Sequence, residues 1–136
     1  DMIIDKDFED ECVVTSQSYA SLKKVKDYNK DIKTIYVMGV AYGSIFKLSS
    51  ADGYSVKSYY VTDELVGSIH NAGKEIFVWT VNNEKLIDRM IDLNVDNIIT
   101  DNVTMAKKCI YTNKTNSDIV SLINKFLIDN ITERTK

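Results

Sequence analysis

Short, largely apolar runs typical of β-strands recur along this chain at intervals of about twenty residues, with helical patterns in most of the gaps. The runs are Cys12–Thr15, Thr34–Met38, Tyr54–Val56, Ile76–Val81 and Asn97–Thr100. Apolar residues do not alternate strictly with polar ones in them, which is typical of strands covered on both faces of a parallel sheet. This spacing predicts an α/β fold of about five consecutive βα units.

Helix signals lie between these runs. Ser18, Thr62 and Asn83 each precede an amphipathic pattern, and we expect each of them to cap a helix. Asn94 is expected to end the third of these helices in a left-handed conformation. The segment Ala41–Ala51 fits either a short helix or a loop.

After the last strand-like run, Met105–Ile110 has a helical pattern and residues 111–117 are polar. A final amphipathic helix is indicated by apolar residues at helical spacing, namely Ile119, Leu122, Ile123, Phe126 and Leu127. We therefore divide the chain into two parts. Residues 1–111 hold the βα units, and residues 112–136 are predicted to form a linker and a terminal amphipathic helix.

Two architectures accommodate five βα units with right-handed crossovers. One is a small doubly wound sheet, and the other is part of an eight-stranded barrel. Apolar periodicity does not separate them. In both architectures a ligand binds at the carboxyl ends of the strands, so polar residues at those ends are candidates for a site.

The chain has 136 residues, of which 44% are hydrophobic and 27% charged, which is enough for one globular domain with its own core. Its net charge of -3 gives no electrostatic reason to expect a nucleic acid partner. A local lysine cluster is predicted to be a solvated helix face and the loop after it, with steering of an anionic lipid or substrate as the alternative. Its members are Lys23, Lys24, Lys26, Lys30 and Lys33.

No apolar run reaches the length of about 18 residues that spans a bilayer, so we expect a soluble segment. Cys12 and Cys109 stand without a partner motif, and no structural zinc site is indicated. We expect both cysteines to be small buried hydrophobes.

Four polar or aromatic residues follow predicted strands. Ser16 follows the first, Trp79 and Asn82 belong to the end of the fourth, and Asp101 follows the fifth. Trp79 is either an apolar wall beside a substrate or part of the sheet core. Asn82 either orients a ligand or, as we favour, caps the next helix. Asp101 is either a base or metal ligand, or a cap of the helix after it.

His70 is the only histidine. It is predicted to lie in the last turn of a helix, beside Gly73 and far from the strand ends, where a histidine favours the helix dipole and is structural. A lone histidine cannot supply a general acid and a general base together. The residues of this chain therefore predict no catalytic residue and no metal ligand.

Several motifs resemble the glycerophosphodiester phosphodiesterase family. The strongest are Val78–Asn82, with the sequence VWTVN, and Val95–Asp101, with the sequence VDNIITD. Val13–Tyr19 resembles the family's strand that ends in serine and an aromatic residue. Ala51–Lys74 is similar to the branch with an amino-terminal membrane domain.

The resemblance implies a (β/α)₈ barrel of which this chain supplies about strands four to eight. It implies hydrolysis of glycerophosphodiesters to glycerol 3-phosphate and an alcohol, with calcium or magnesium as cofactor. Of the family's site residues only Trp79 is carried over, as a wall of the substrate pocket, and Ser16, Asn82 and Asp101 are weaker rim candidates. The family's catalytic histidines and metal-binding carboxylates belong to motifs that are absent from this sequence.

Five barrel strands cannot close, so the first and last would keep open hydrogen-bonding edges. We therefore expect this chain to be inactive alone and to pair with the missing amino-terminal half of the barrel or with a second copy. The intact enzyme would bind a glycerophosphodiester, and its membrane association follows only from the resemblance. The alternative function is a non-catalytic binding or assembly module derived from the barrel.

Overall fold

The computed structural model describes residues 3–39 and 47–134, with side chains described as far as residue 121. Five β-strands are present, each within three residues of the bounds predicted from the sequence. They are β1 (Val13–Ser16), β2 (Lys33–Met38), β3 (Gly53–Lys57), β4 (Glu75–Trp79) and β5 (Asn97–Ile98). Most of the ambiguous segment Ala41–Ala51 lies outside the described residues.

Four α-helices connect and follow the strands. They are α1 (Tyr19–Tyr28), α2 (Asp63–Asn71), α3 (Glu84–Asp92) and α4 (Val103–Arg134). Two short 3-10 helices are also present, Ile4–Lys6 and Ser58–Tyr60. None of the helices in this part of the chain is both long and apolar enough to cross a bilayer.

The five strands form one parallel sheet in the order β1-β2-β3-β4-β5. A doubly wound sheet reverses its strand order at a switch point, whereas a (β/α)₈ barrel adds each strand beside the one before it. The sequential order therefore excludes the doubly wound alternative and assigns the chain to part of a barrel. Within the described residues, the sheet stays open at β1 and β5.

One face of the sheet is covered by helices. Tyr54 pairs with Ile76, and Val56 pairs with Val78, and all four side chains are fully buried. They share one apolar cluster with residues of α2, α3 and α4, among them Val66, Ile69, Ile87, Met90 and Ala106. This cluster is the core, and it holds β3 and β4 rigidly at the centre of the sheet.

The other face corresponds to the barrel interior and is only partly covered. Phe77 and Trp79 alternate with the core residues of β4 and are half-buried. Val13, on the edge strand β1, is 41% exposed. This face therefore presents apolar side chains that the described residues do not cover.

The predicted helix boundaries are confirmed. Ser18, Thr62 and Asn83 each accept a hydrogen bond from a backbone N–H in the first turn of their helix, as N-cap residues do. Asn94 has a φ of 57°, the left-handed conformation expected after α3. Side-chain capping is a local interaction, which explains why the sequence alone predicts it correctly.

The predicted linker is wrong, because residues 111–117 are helical and belong to the continuous helix α4. No proline or glycine interrupts this stretch. Asn113 donates to the Cys109 carbonyl oxygen and Thr115 donates to the Tyr111 carbonyl oxygen, one turn back in each case. These polar side chains thus bond along the helix rather than breaking it. The division of the chain at residue 111 stays a prediction.

Two members of the lysine cluster are held by carboxylates. Lys26 forms an ion pair with Asp52, and Lys33 forms one with Glu75. Only part of the cluster is therefore a freely solvated helix face. Of the cysteines, Cys109 is buried as expected, whereas Cys12 is only partly buried.

Candidate functional site

All four candidate residues lie at the carboxyl edge of the sheet. Ser16 is the last residue of β1 and Trp79 is the last residue of β4, while Asn82 and Asp101 follow β4 and β5. Ser16 pairs with Tyr36 and so lies on the helix-covered side, opposite to the face of Trp79. The structure therefore brings Asn82 and Asp101 together, but it separates Ser16 from Trp79 by two intervening strands and places them on opposite faces of the sheet.

Trp79 projects from the partly covered face of β4. Its indole Nε1–H is buried and has no hydrogen-bond partner among the described residues. A buried N–H without a partner is unusual, because desolvating it costs free energy that no hydrogen bond returns. This geometry is compatible with both a pocket wall and a piece of barrel core, so the substrate role of Trp79 stays a prediction.

Asn82 joins the ends of β4 and β5. Its amide nitrogen donates to Asp101 Oδ2 at 2.7 Å, and its Oδ1 accepts from the Asp101 backbone N–H at 2.9 Å. The Thr100 hydroxyl donates to the same Oδ1 at 3.1 Å. We call these three residues the β4–β5 bridge. The preferred prediction that Asn82 caps α3 is wrong, because its neighbour Asn83 does so.

Asp101 does not cap α4 either. Asn102 accepts the hydrogen bond from the Met105 backbone N–H at the start of that helix. The Asp101 side chain is instead held by Asn82 and remains exposed at the rim of the sheet. The bridge therefore fixes a carboxylate at the carboxyl edge, where an active site of this fold would lie.

His70 lies at the opposite end of the sheet. Its Nε2 is 2.9 Å from Asp96 Oδ2, and the same oxygen accepts the Ile76 backbone N–H at 2.8 Å. Asp96 precedes β5, so this contact belongs to the amino-terminal ends of the strands. The predicted structural role of His70, away from any chemistry at the carboxyl edge, agrees with this position.

A cavity of about 550 Å³ opens at the carboxyl ends of β1 and β2. It is lined by Gln17, Tyr19, Tyr36, Val37, Met38, Gly39 and Leu48. The Tyr19 hydroxyl lies 3.4 Å from Ser49 Oγ and accepts the Ser50 backbone N–H at 3.2 Å. These contacts with Ser49 and Ser50 lower the pKa of Tyr19 to about 8. Tyr19 was not predictable as a site residue from the sequence, because its partners lie 30 and 31 residues away.

Lys57 is a second residue that the sequence analysis missed. It is the last residue of β3, is exposed, and pairs with Trp79 across the β3–β4 register. A register between two strands cannot be derived from the apolar pattern of either strand alone, so no signal in the sequence joined these two residues.

The described residues do not fit a metal centre. Within residues 3–39 and 47–134, no three His, Cys, Asp or Glu side chains are grouped so that they could hold a metal ion. The carboxylate of Asp101 stands without a second carboxylate or histidine in the β4–β5 bridge. No chemical step through a bound cation is therefore derived from these residues.

The model of the glycerophosphoryl diester phosphodiesterase family matches residues 6–105, which is most of the chain and includes all five strands. This chain belongs to that family. The resemblance found in its strand-end motifs is thereby confirmed, whereas the branch with a membrane domain stays a prediction.

Relatives of the family support the same assignment. A glycerophosphodiester phosphodiesterase of Caldanaerobacter subterraneus is 32% identical over 98 residues, which are 69% of this chain and 40% of that protein. The chain thus spans about 40% of the length of the curated relatives that it matches.

Solved structures share the fold. A glycerophosphodiester phosphodiesterase from Parabacteroides distasonis matches with a TM-score of 0.73 and 21% identity, covering 83% of this chain and 48% of that one. An Oleispira antarctica phosphodiesterase, solved with sn-glycerol-3-phosphate as product, matches with a TM-score of 0.65 and 19% identity, covering 72% and 41%. The predicted part-barrel architecture is confirmed by these neighbours.

Proposed function

We propose that this chain is the carboxyl-terminal part of a glycerophosphodiester phosphodiesterase barrel. The assembled enzyme would hydrolyse a glycerophosphodiester to glycerol 3-phosphate and an alcohol. The match of residues 6–105 to the family supports this proposal most directly. The product held by the Oleispira antarctica phosphodiesterase supports the substrate class, since it contains the glycerophosphate group.

The chain alone is inactive in this proposal. Hydrolysis of a phosphodiester needs one group that takes a proton from the nucleophile and another that gives one to the leaving alcohol. The sole histidine, His70, lies at the amino-terminal end of the strands and is bound to Asp96. Within the described residues, the carboxyl edge therefore has no histidine to serve as general acid or base.

The chain contributes the wall and the rim of the site. Trp79 packs against the substrate, and the β4–β5 bridge keeps Asn82 and Asp101 in fixed positions beside it. Ser16 is a weaker candidate, because it lies on the other face of the sheet. In the assembled enzyme a calcium or magnesium ion, held by residues outside this chain, would neutralise phosphate charge.

The partner in this proposal is the missing amino-terminal half of the barrel, or a second copy of the chain that covers the same interior face. The apolar interior face of β1 and β4 supports the need for such a partner, because exposed apolar surface of this kind favours association. We also propose that the intact enzyme is anchored to a membrane. This part of the proposal rests only on the similarity of Ala51–Lys74 to the family branch with an amino-terminal membrane domain.

Hydrolysis of glycerophosphocholine and glycerophosphoglycerol, with calcium or magnesium, tests the proposal. The chain would be assayed alone and after co-expression with the amino-terminal barrel segment of the Caldanaerobacter subterraneus relative, with that segment alone as control. We expect turnover only from the combination, and Trp79→Ala should lower it at least about tenfold. Robust turnover by the chain alone would contradict its incompleteness.

A folded combination without turnover on either substrate would contradict the phosphodiesterase function. It would instead favour the alternative of a non-catalytic binding or assembly module. The observation that keeps this alternative open is the lack of a histidine at the carboxyl edge of the described residues.

A further inference from the structure

Three residues lie level with one another at the carboxyl edge of the central strands. Lys57 of β3 pairs with Trp79 of β4. Met38 of β2 pairs with Val56, so the next residue, Gly39, lies level with Lys57. Gly39, Lys57 and Trp79 therefore form one row across three neighbouring strands, which we call the edge row.

The edge row faces the barrel interior. Tyr54 and Val56 project into the helix-covered core, and side chains alternate between the two faces along a strand. Lys57 consequently projects from the opposite face, on the same side as Trp79. It is not a lysine of the outer helical surface but one that points towards the space where barrel strands surround a ligand.

Among the described residues, space is open at Gly39, one strand away from Lys57. A Cβ atom built at Gly39 would meet no other atom within 4 Å. Gly39 and its neighbours Val37 and Met38 also line the cavity of about 550 Å³ described above. Neither Lys57 nor Trp79 lines that cavity, so a ligand of the edge row would lie beside it, with the glycine backbone at one end and Lys57 and Trp79 at the other.

The charge of Lys57 is not neutralised by the described residues. Lys26 and Lys33 bind carboxylates, and Lys74 donates to the Ala51 carbonyl oxygen at 2.6 Å. Lys57, in contrast, has no hydrogen bond or ion pair within residues 3–39 and 47–121. The Asp101 carboxylate, which follows β5 on the other side of β4, accepts a hydrogen bond from Asn82 instead. The Lys57 ammonium group is therefore unpaired within those residues, and its residue stands in register with Trp79 on the neighbouring strand.

We propose that the edge row binds the phosphate group of a phosphate monoester or diester, with Lys57 as the cationic ligand of the phosphate and Trp79 in contact with the carbon chain of the ester. An ammonium group is a compact point charge that suits phosphate oxygens, and an indole offers a flat apolar surface to the carbon atoms. The inference rests on the proposed function for the class of ester, and it assigns phosphate binding to a residue of this half of the barrel.

Fluorescence of Trp79 can test the edge row directly, since this is the only tryptophan in the chain. The full chain would be titrated with sn-glycerol 3-phosphate and with inorganic phosphate, exciting at wavelengths where tyrosine does not absorb. Potassium chloride at matched ionic strength separates binding from general screening. We expect a saturable change with both phosphates and none with chloride.

Three variants make the test specific. Lys57→Met keeps most of the side-chain length but removes the charge, and should weaken binding about tenfold. Lys57→Arg should restore binding to within about threefold of the original chain, because the charge returns. Lys85→Met removes an exposed lysine of α3 and should leave binding unchanged. Circular dichroism and the urea midpoint confirm that each variant is folded.

Unchanged binding by Lys57→Met would overturn the inference, and so would the absence of a saturable change in the original chain. The outcome is independent of the hydrolysis assay. If phosphate binding depends on Lys57 but the assembled barrel does not hydrolyse either substrate, the proposed function is wrong and phosphate binding by the edge row is supported. If the assembled barrel hydrolyses the substrates but phosphate binding does not depend on Lys57, the proposed function is supported and phosphate binding by the edge row is wrong.

Discussion

Asn82 illustrates how one amide side chain organises a strand edge. It donates to the Asp101 carboxylate and accepts from the Thr100 hydroxyl and the Asp101 backbone N–H. Backbone bonds continue beside it, since the Val81 N–H donates to the Ile99 carbonyl oxygen at 3.0 Å. The β4–β5 bridge thus adds side-chain hydrogen bonds to the backbone bonds that join the short strand β5 to β4.

Replacing Asn82 by alanine should lower the free energy of unfolding by about 2 kcal/mol, because three partly exposed hydrogen bonds are lost and two partners remain at the rim. Urea unfolding followed by circular dichroism measures this change. Asn71→Ala, at an exposed asparagine of α2, is the matched control and should change stability by less than about 0.5 kcal/mol. Equal effects of the two substitutions would contradict a special role of the bridge.

Asp52 organises the opposite end of the sheet. Its Oδ2 accepts from the Thr34 backbone N–H at 2.8 Å and from the Thr34 hydroxyl at 3.0 Å, and it pairs with the Lys26 ammonium at 2.6 Å. Partial burial alone would raise the pKa of Asp52. The Lys26 and Thr34 donors outweigh it and hold the pKa of this carboxyl below its ordinary value of 3.8.

This lowered pKa predicts a pH dependence of stability. A carboxyl with a depressed folded pKa stabilises the fold fully above its ordinary pKa of 3.8, and this contribution is lost as the pH falls through the lower folded pKa. Asp52→Asn should therefore cost about 1 kcal/mol at neutral pH, after allowance for solvent screening, and progressively less under strongly acidic conditions. Urea midpoints across the pH range measure the difference.

Asp118→Asn, at an exposed carboxyl of α4, serves as the control for Asp52 and should show no such trend with pH. A deficit of Asp52→Asn that stays constant down to the lowest pH would contradict the assignment, since the protonated carboxyl and the amide would then behave differently for another reason.

At the scale of elements, Gly53 shows why β3 and β4 fit together closely. A Cβ atom at this position would lie 2.6 Å from the Glu75 carbonyl oxygen and 2.8 Å from Ile35 Cδ1. Gly53 stands in register with both of these residues. The missing side chain therefore lets the Ile35 side chain lie over the start of β3, where Ile35 is fully buried.

Two glycine substitutions test this packing as a matched pair. Gly53→Ala should destabilise the chain by about 2 kcal/mol, because backbone atoms of β4 must shift to admit the methyl group. Gly67→Ala, inside α2, meets no atom within 4 Å and should stabilise by up to about 1 kcal/mol through helix propensity. Thermal unfolding of both variants gives the comparison, and a neutral Gly53→Ala would contradict the close approach.

Elements whose signals are local were predictable from the sequence. The caps at Ser18, Thr62 and Asn83 depend on a side chain and an N–H three residues later, so the sequence contains both partners. The polar stretch 111–117 misled the prediction, because polar composition was taken for a linker. The side chains of Asn113 and Thr115 instead bond to carbonyl oxygens of the preceding helical turn, so the helix accommodates them.

At the scale of the whole molecule, the sheet has two open edges within the described residues and an interior face that is partly uncovered. An open strand edge presents unpaired backbone groups, and exposed apolar side chains beside it favour association. Val13 combines both features, since it lies on the edge strand β1 and is 41% exposed on the interior face.

We expect the purified chain to self-associate, as size-exclusion chromatography with light scattering would show. Val13→Lys should shift the population towards the monomer, because burying the ammonium in the contact is costly. Tyr28→Lys, at a tyrosine that is 61% exposed at the end of α1, is the control on the outer surface and should leave the mass unchanged. A stable, well-folded monomer of the original chain would contradict the need for a partner.

The sequence by itself determined the strands, the helix caps, the strand-end motifs and the position of His70 in the last turn of α2, because each of these depends on residues close together in the chain. Only the tertiary structure decided between a doubly wound sheet and a part-barrel, moved Asn82 from a helix cap to the β4–β5 bridge, and placed Lys57 beside Trp79. Strand order and register arise from contacts between residues some twenty positions apart. The apolar pattern of each strand is compatible with many strand orders and registers. Only the tertiary structure therefore specifies which side chains meet at the carboxyl edge.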